Sequence, residues 1–329
     1  MMTIYDIAKE AGVSASTVSR VMNGKPGISE KTREKVRALL EKHSFTPDAA
    51  ARGLVTQSSG IVGILIEDIT VAHHAVSAAV IEQEMMKLGY CCITMSIGNS
   101  IEKRTEYIRT LGERRVQGVF MIGSTFMTEE VRGLVSLHIP EIPVVMVNGF
   151  LDLPNVSGIV TDEEEGIRNC VAFLASAGRK HIVFANDNPT PSNLGKEQGY
   201  LKGIGSLAGF RPVVARAESA SLEAGYRVTE EILKNYPETD AIIYSIDLIA
   251  AGGLRCASDM GKAVPSDLAV IGVDNGLFSE ICNPKITSLD NKIREASEIA
   301  ADMMKKGLAG EMQHVRITLF AELVEKEST

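Results

Sequence analysis

The chain has 329 residues, a length that indicates two or three domains. Of these residues 45% are hydrophobic and 23% are charged, which is typical of a soluble globular protein. It contains no apolar run of the roughly 18 residues that a membrane-spanning helix requires, and it does not begin with a basic-then-apolar signal, so we expect neither a membrane protein nor a secreted one. The five cysteines have irregular spacings that form neither a disulfide framework nor a zinc motif, which is typical of a reducing cytoplasm.

Charge is unevenly distributed along the chain, whose net charge is −8. Residues 1–59 contain nine of the 34 Lys and Arg residues but only six of the 42 Asp and Glu residues. This first segment is therefore basic although the remainder is acidic, which indicates that an anionic partner would bind the first segment. Charge alone does not separate this interpretation from an ordinary solvated surface.

Residues 1–46 are predicted to form three helices. Thr3 is a suitable N-cap for the first helix, which ends at Gly12. The second helix is predicted over residues 15–22, and the third, capped by Ser29, over residues 30–43. Two short helices joined by a tight turn are typical of a helix-turn-helix, in which the second helix enters the major groove of DNA. Periodicity alone also permits a generic three-helix bundle with a polar face.

Residues 47–59 are predicted to form a hinge segment. Asp48 is a suitable N-cap, and the three alanines that follow it favour a helix. About eight residues are nevertheless too few for a helix that is stable alone in water, and Gly53 weakens it further. We therefore expect a helix that forms only against a partner, a plain linker being the alternative.

Residues 60–329 alternate short apolar runs with amphipathic stretches, which predicts parallel β-sheets covered by helices. Three or four such units fall on each side of residue 160, which indicates two lobes of similar size with a ligand cleft at the carboxyl ends of their strands. The expected fold is an α/β protein with a helix-turn-helix head and a body of two doubly wound parallel sheets. The predicted strands are 61–66, 91–97, 118–122, 144–147, 181–185, 241–245 and 268–273.

Several motifs resemble the LacI (lactose-repressor) family of transcription regulators. In the head they are TIYDIA at residues 3–8, AGVS at 11–14, TVSRVMN at 17–23, SEKTREKV at 29–36 and FTPDAAARGL at 45–54. The head is similar to the catabolite-control branch of that family. Weaker matches continue through GILIED at 63–68, DLIAAG at 247–252 and VIGVDN at 270–275.

The resemblance implies a dimeric or tetrameric repressor that binds palindromic double-stranded operator DNA and has a body like the periplasmic sugar-binding proteins. Its base-reading residues would be Ala15, Ser16 and Arg20. In the hinge, Ala51 and Leu54 would lie in the minor groove, where the leucine acts as an apolar wedge. Phosphate contacts or helix caps are implied for Thr3, Tyr5, Ser14, Thr17, Ser19, Asn23, Ser29 and Thr32.

The effector site implied by the resemblance departs from the family pattern at two positions. Lys196 occurs where sugar-binding members commonly have an arginine, and Ile246 occurs where they have an asparagine. Two hypotheses follow: either a small sugar-like effector binds in the cleft, or the pocket has changed to suit another metabolite or a phosphoprotein corepressor as in the catabolite-control branch. The candidate effector contacts are Asp68, His73, Asn148, Asp162, Lys196, Asp247, Asp274 and Asn291.

Other function classes fit the sequence less well. A solute-binding receptor would need an export signal, and an enzyme would need a nucleophile, base or metal motif that we do not find. We expect a cytoplasmic homodimer that is not an enzyme and uses no cofactor. The expected domains are a DNA-binding head (1–46), a hinge (47–59) and a body (60–329) whose lobes comprise 60–160 with 291–319, and 161–290 with 320–329.

Overall fold

The computed structural model describes residues 2–22, 24–43, 59–98 and 100–329. The chain divides into two units, Met1–Gly60, which contains the head and the hinge, and Ile61–Thr329, the body. Within the described residues, no helix is both long and apolar enough to cross a membrane.

The head contains three helices, α1 (Ile4–Ala11), α2 (Ala15–Met22) and α3 (Glu30–Lys42). The predicted caps are confirmed: Thr3 forms a capping box with Asp6 at the start of α1, and the Ser29 hydroxyl accepts from the Thr32 N–H at the start of α3. The small core consists of fully buried side chains from each helix, including Ile7, Val18 and Val36.

The first lobe of the body is a six-stranded parallel sheet in the order β11-β5-β4-β3-β1-β2. Adjacent residues of β1 point to opposite faces, so that Ile64 packs with the helices of one side and Leu65 with those of the other. The strands are β1 (Ile61–Ile66), β2 (Cys91–Ser96), β3 (Gly118–Ile122), β4 (Val144–Val147), β5 (Val156–Asp162) and β11 (Arg316–Phe320), and the helices are α4 (Ala72–Lys87), α5 (Ile101–Glu113), α6 (Glu129–His138) and α12 (Ile293–Leu308).

The second lobe has a six-stranded sheet in the order β12-β10-β9-β8-β6-β7. All neighbours are parallel except β12, which is antiparallel to β10, so the second sheet is mostly parallel. The strands are β6 (Ile182–Asn186), β7 (Val214–Arg216), β8 (Ala241–Tyr244), β9 (Ala269–Val273), β10 (Thr287–Asp290) and β12 (Glu322–Val324), and the helices are α7 (Glu163–Ser176), α8 (Pro191–Gly205), α9 (Leu222–Asn235), α10 (Asp247–Asp259) and α11 (Leu277–Ile281).

The chain passes between the lobes three times: after β5, after β10 and after β11. The α/β fold class and the helix-turn-helix head agree with the prediction. Five strands were not predicted, namely β5, β7, β10, β11 and β12. Their sequences are short or polar, and β10 has the sequence TSLD although Thr287 and Ser288 are fully buried.

Candidate functional site

The two lobes meet across the carboxyl ends of their strands, where open α/β sheets bind ligands. His73, near the start of α4 in the first lobe, lies with Nδ1 3.5 Å from Oδ2 of Asp274, which follows β9 in the second lobe. The backbone N–H of Ser192, in α8, donates to the Ser124 hydroxyl at 3.2 Å. These contacts define a narrow polar cleft with walls from both lobes.

Asp274 lies at the centre of this cleft. Its Oδ1 accepts a 2.7 Å hydrogen bond from the side-chain amide of Asn291, which follows β10. Burial would raise the pKa of Asp274, but the nearby His73 and Lys196 outweigh burial and lower that pKa below its ordinary value. Asp274 is therefore an ionised acceptor in the cleft at neutral pH.

Asn291 has an unsatisfied polar atom. Its side chain is 7% exposed, and its Oδ1 has no hydrogen-bond partner among the described residues. It lines a small cavity between the lobes together with Asn148, Thr161 and Glu163. Because a buried carbonyl oxygen without a donor is costly, this atom marks a place where a ligand donor would be favourable.

The ammonium group of Lys196 contacts three acceptors within the protein. It lies 3.3 Å from Oε1 of Glu163 and donates to the Asn193 side chain and to the Ser245 carbonyl oxygen. Burial would lower the pKa of Lys196, but the surrounding carboxylates, with Glu163 foremost, raise it above its ordinary value. A lysine has three donors, so all of them are used here.

Three other predicted effector residues have structural partners. Asp68 is exposed and accepts from the backbone and hydroxyl of Thr70, and Asp162 caps α7. Asp247 is buried at the start of α10, where it accepts from the Gly276 N–H and the Ser288 hydroxyl. These contacts hold the loops around the cleft in place.

Backbone strain is concentrated around the cleft. Five described residues other than glycine have positive φ, and four of them follow strands that end at the cleft. Such conformations are unfavourable for side-chain-bearing residues and cluster at functional sites. The four are Asn148 (55°), Asp274 (102°), Asn275 (48°) and Lys292 (58°).

The predicted DNA contacts in the head lie on α1, α2 and the start of α3. Tyr5 is 74% exposed, and the hydroxyl of Ser14 contacts those of Ser16 (2.7 Å) and Thr17 (2.9 Å). Arg20 is exposed and donates from Nη2 to the Pro26 carbonyl oxygen at 2.7 Å. Ala15 and Ser19 are also on α2, whereas Asn23, Ala51 and Leu54 lie outside the described residues.

Two sequence families match this chain. Residues 3–48 match the lacI family of bacterial regulatory proteins, and residues 171–329 match the periplasmic binding protein-like domain. The chain is therefore similar to the lacI family over residues 3–48 and to the periplasmic binding protein-like domain over residues 171–329.

Similarity to curated relatives extends over nearly the whole length of the chain. An HTH-type transcriptional regulator of Lachnoclostridium phytofermentans is 28% identical, covering 100% of this chain and 99% of the relative. Catabolite control protein A of Priestia megaterium is 29% identical, covering 93% and 92%. The solved Lac repressor dimer bound to operator and the anti-inducer ONPF matches with a TM-score of 0.89 at 24% identity, covering 100% and 99%, and shows the same fold.

Several cleft residues were missed by the sequence analysis. Glu163 begins α7, where acidic residues are common at an exposed helix N-terminus, yet it is 5% exposed and pairs with Lys196. Asp187 is 8% exposed and accepts from Asn193 and Ser245. Glu163 directly follows β5 and Asp187 directly follows β6. These positions at strand ends are the only sequence signal that could have identified the two residues as part of the cleft. In the part of the chain described by the structure, no group of His, Cys, Asp and Glu side chains could hold a metal.

Proposed function

We propose that the chain is a sequence-specific repressor of transcription that binds palindromic operator DNA as a homodimer and changes its DNA affinity when a small effector occupies the cleft. The observation that carries this proposal is the presence, in one chain, of a helix-turn-helix head and of a two-lobed body with polar groups in its cleft. A DNA-reading unit and a ligand-binding unit in one chain suit an effector-dependent regulator.

Dimerisation follows from the size of the head. One short recognition helix contacts few base pairs, and a palindromic operator matches a protein with two-fold symmetry. In this proposal residues 1–46 read the operator, residues 47–59 form a hinge that places Leu54 in the minor groove, and residues 60–329 bind the effector and dimerise. Such a regulator acts in the cytoplasm, and we assign no catalytic role to its residues.

A small effector is favoured over a protein corepressor by the position of the polar groups. His73, Asp274 and Asn291 converge between the lobes, a position that suits contacts with a small molecule better than contacts with a folded partner. Because the chain is similar to catabolite control proteins, a phosphoprotein corepressor is the second candidate for the molecule that changes its DNA affinity.

DNA binding is tested with a duplex selected by the full-length protein from a random-sequence library. Its affinity is measured by fluorescence anisotropy at about 50 mM and 200 mM salt, over which phosphate contacts cause a steep decrease. Replacing a base-contacting arginine costs about 1–3 kcal/mol, so we expect Arg20→Ala to weaken specific binding about 5- to 150-fold. Arg132→Ala, in the body, is the control and leaves the affinity unchanged. Selection of no sequence, or equal affinities for the two variants, would contradict the proposal.

A further inference from the structure

The turn between α2 and α3 is held by two arginine side chains. Arg20, in the last turn of α2, donates from Nη2 to the Pro26 carbonyl oxygen at 2.7 Å. Arg33, in the first turn of α3, donates from Nη2 to the neighbouring Lys25 carbonyl oxygen at 3.3 Å. Two consecutive carbonyl groups of the turn therefore each accept a hydrogen bond from a guanidinium group, one from each flanking helix.

Arg33 differs from an ordinary surface arginine. Its side chain is only 15% exposed, and its Nε lies 3.6 Å from Oε2 of Glu30, three residues earlier on α3. A guanidinium group presents its five donors in a planar fork, so the contacts with Glu30 and with the Lys25 carbonyl oxygen together set its orientation. Arg33 lies in the motif SEKTREKV at residues 29–36, yet the sequence analysis assigned it neither a DNA contact nor a helix cap.

The turn contains two glycines that leave its backbone free to adopt other conformations. Gly24 and Gly27 have φ of 63° and 89°, in the left-handed region that favours glycine, and glycine restrains the backbone least of all residues. Ile28, at the end of the turn, packs against the core of the head. The contacts of Arg20 and Arg33 with the carbonyl groups therefore hold an arrangement that the glycines alone would leave free.

The contact with Pro26 leaves Arg20 able to bind a base. One of its five donors is used by the carbonyl oxygen, whereas a guanine needs two, for O6 and N7. A guanidinium group that is already held in position loses less conformational entropy on binding than a mobile one. The Pro26 carbonyl oxygen therefore orders the side chain to which the proposed function gives a role in base reading.

We propose that Arg33 is a positioning residue for sequence recognition: it holds the Lys25 carbonyl group and so fixes the turn, and the fixed Pro26 carbonyl oxygen orients Arg20 towards its base pair. This inference rests on the proposed function and adds a residue that controls specificity through another side chain. A purely structural role for Arg33 would instead weaken DNA binding equally at every base pair.

The test compares Arg33→Met with Arg37→Met in the full-length protein. Both substitutions remove one positive charge and keep an unbranched side chain, and Arg37 is exposed one turn further along the same face of α3. Fluorescence anisotropy measures the affinity for the selected duplex and for duplexes that each carry one base-pair change. The base pair at which Arg20→Ala loses discrimination is the one that Arg20 reads.

We expect Arg33→Met to reduce discrimination at that base pair about two- to tenfold, the effect of leaving one long side chain unordered, and to preserve discrimination at the other base pairs. Arg37→Met should lower the affinity for all duplexes alike, because a general loss of charge carries no sequence information. In the Arg20→Ala background, Arg33→Met should cause no further loss of discrimination, since the two residues act as one unit.

The inference would be overturned if Arg33→Met followed Arg37→Met, or if it lost discrimination at every base pair, as an unfolded head would. A further loss in the Arg20→Ala background, or an Arg20→Ala variant that discriminates as the parent does, would also overturn it. These results are distinct from a failure of the proposed function, in which the parent protein itself selects no duplex.

Discussion

Individual cleft residues differ in whether their polar atoms already have partners within the protein. Asp162 caps a helix and Lys196 has three acceptors, whereas Asn291 keeps an unsatisfied oxygen next to the cavity. The resemblance implied all three as effector contacts because it carries over positions but not hydrogen-bond partners. The partner of Asp162 is local, at the Glu165 N–H, whereas Glu163 is 33 positions from Lys196, so no local pattern contains that pair.

Asp247 makes the stability of the body dependent on pH. Burial, followed by repulsion from Asp274, raises its pKa from 3.8 to about 7. The unfolded chain loses this proton near pH 4 and the folded chain only near pH 7, so the folded state binds more protons between these values. The free energy of unfolding should therefore decrease as pH rises from about 4 to 7 and then level off.

We expect Asp247→Asn to remove this decrease, which amounts to about 1–3 kcal/mol between pH 5 and pH 8. Urea unfolding of the parent and the variant at both values measures it. Asp259→Asn, an exposed position at the end of the same helix, serves as the control and should follow the parent. If Asp247→Asn also followed the parent across this range, the assigned burial of the carboxylate would be wrong.

At the scale of secondary-structure elements, close helix pairs position the walls of the cleft. A Cβ atom on Gly199 of α8 would lie 2.1 Å from the Glu164 carbonyl oxygen of α7, and one on Gly252 of α10 would lie 2.1 Å from the Leu222 carbonyl oxygen of α9. Since α7 and α8 supply Glu163 and Lys196, their separation fixes the buried ion pair.

Two glycines of α8 provide a matched test of this packing. Gly199→Ala should destabilise the protein by about 1–3 kcal/mol because the methyl group forces α7 and α8 apart. Gly195→Ala meets no atom within 4 Å and should stabilise it by about 0.5–1 kcal/mol through the higher helix propensity of alanine. Thermal and urea unfolding compare the two, and destabilisation of similar size at both positions would show that the helices are not in close contact.

The elements that the sequence predicted are those with local signals. The head helices have caps and an apolar stripe within a few residues, and the central strands are continuous apolar runs. By contrast, β10 is polar and becomes buried because Ser288 donates to Asp247 and the Thr287 N–H donates to Ser328. These contacts join residues about 40 positions apart, which sequence periodicity cannot indicate.

At the scale of the whole molecule, effector binding in the cleft must alter DNA affinity if the proposed function is right. The lobes touch through His73 with Asp274 and through Ser124 with Ser192, so a ligand between them changes the contacts that set their arrangement. Coupling free energies of about 1–3 kcal/mol between two sites correspond to about 5- to 150-fold changes in affinity, and they are reciprocal.

The most direct measurement is the affinity of the full-length protein for its selected duplex, by fluorescence anisotropy, with and without a saturating sugar that binds the cleft. We expect the sugar to change this affinity at least about fivefold, and the duplex to change the sugar affinity by the same factor. Asn291→Leu should show the same shift only at a higher sugar concentration. If the sugar binds by calorimetry and the duplex affinity stays the same, the cleft does not control DNA binding.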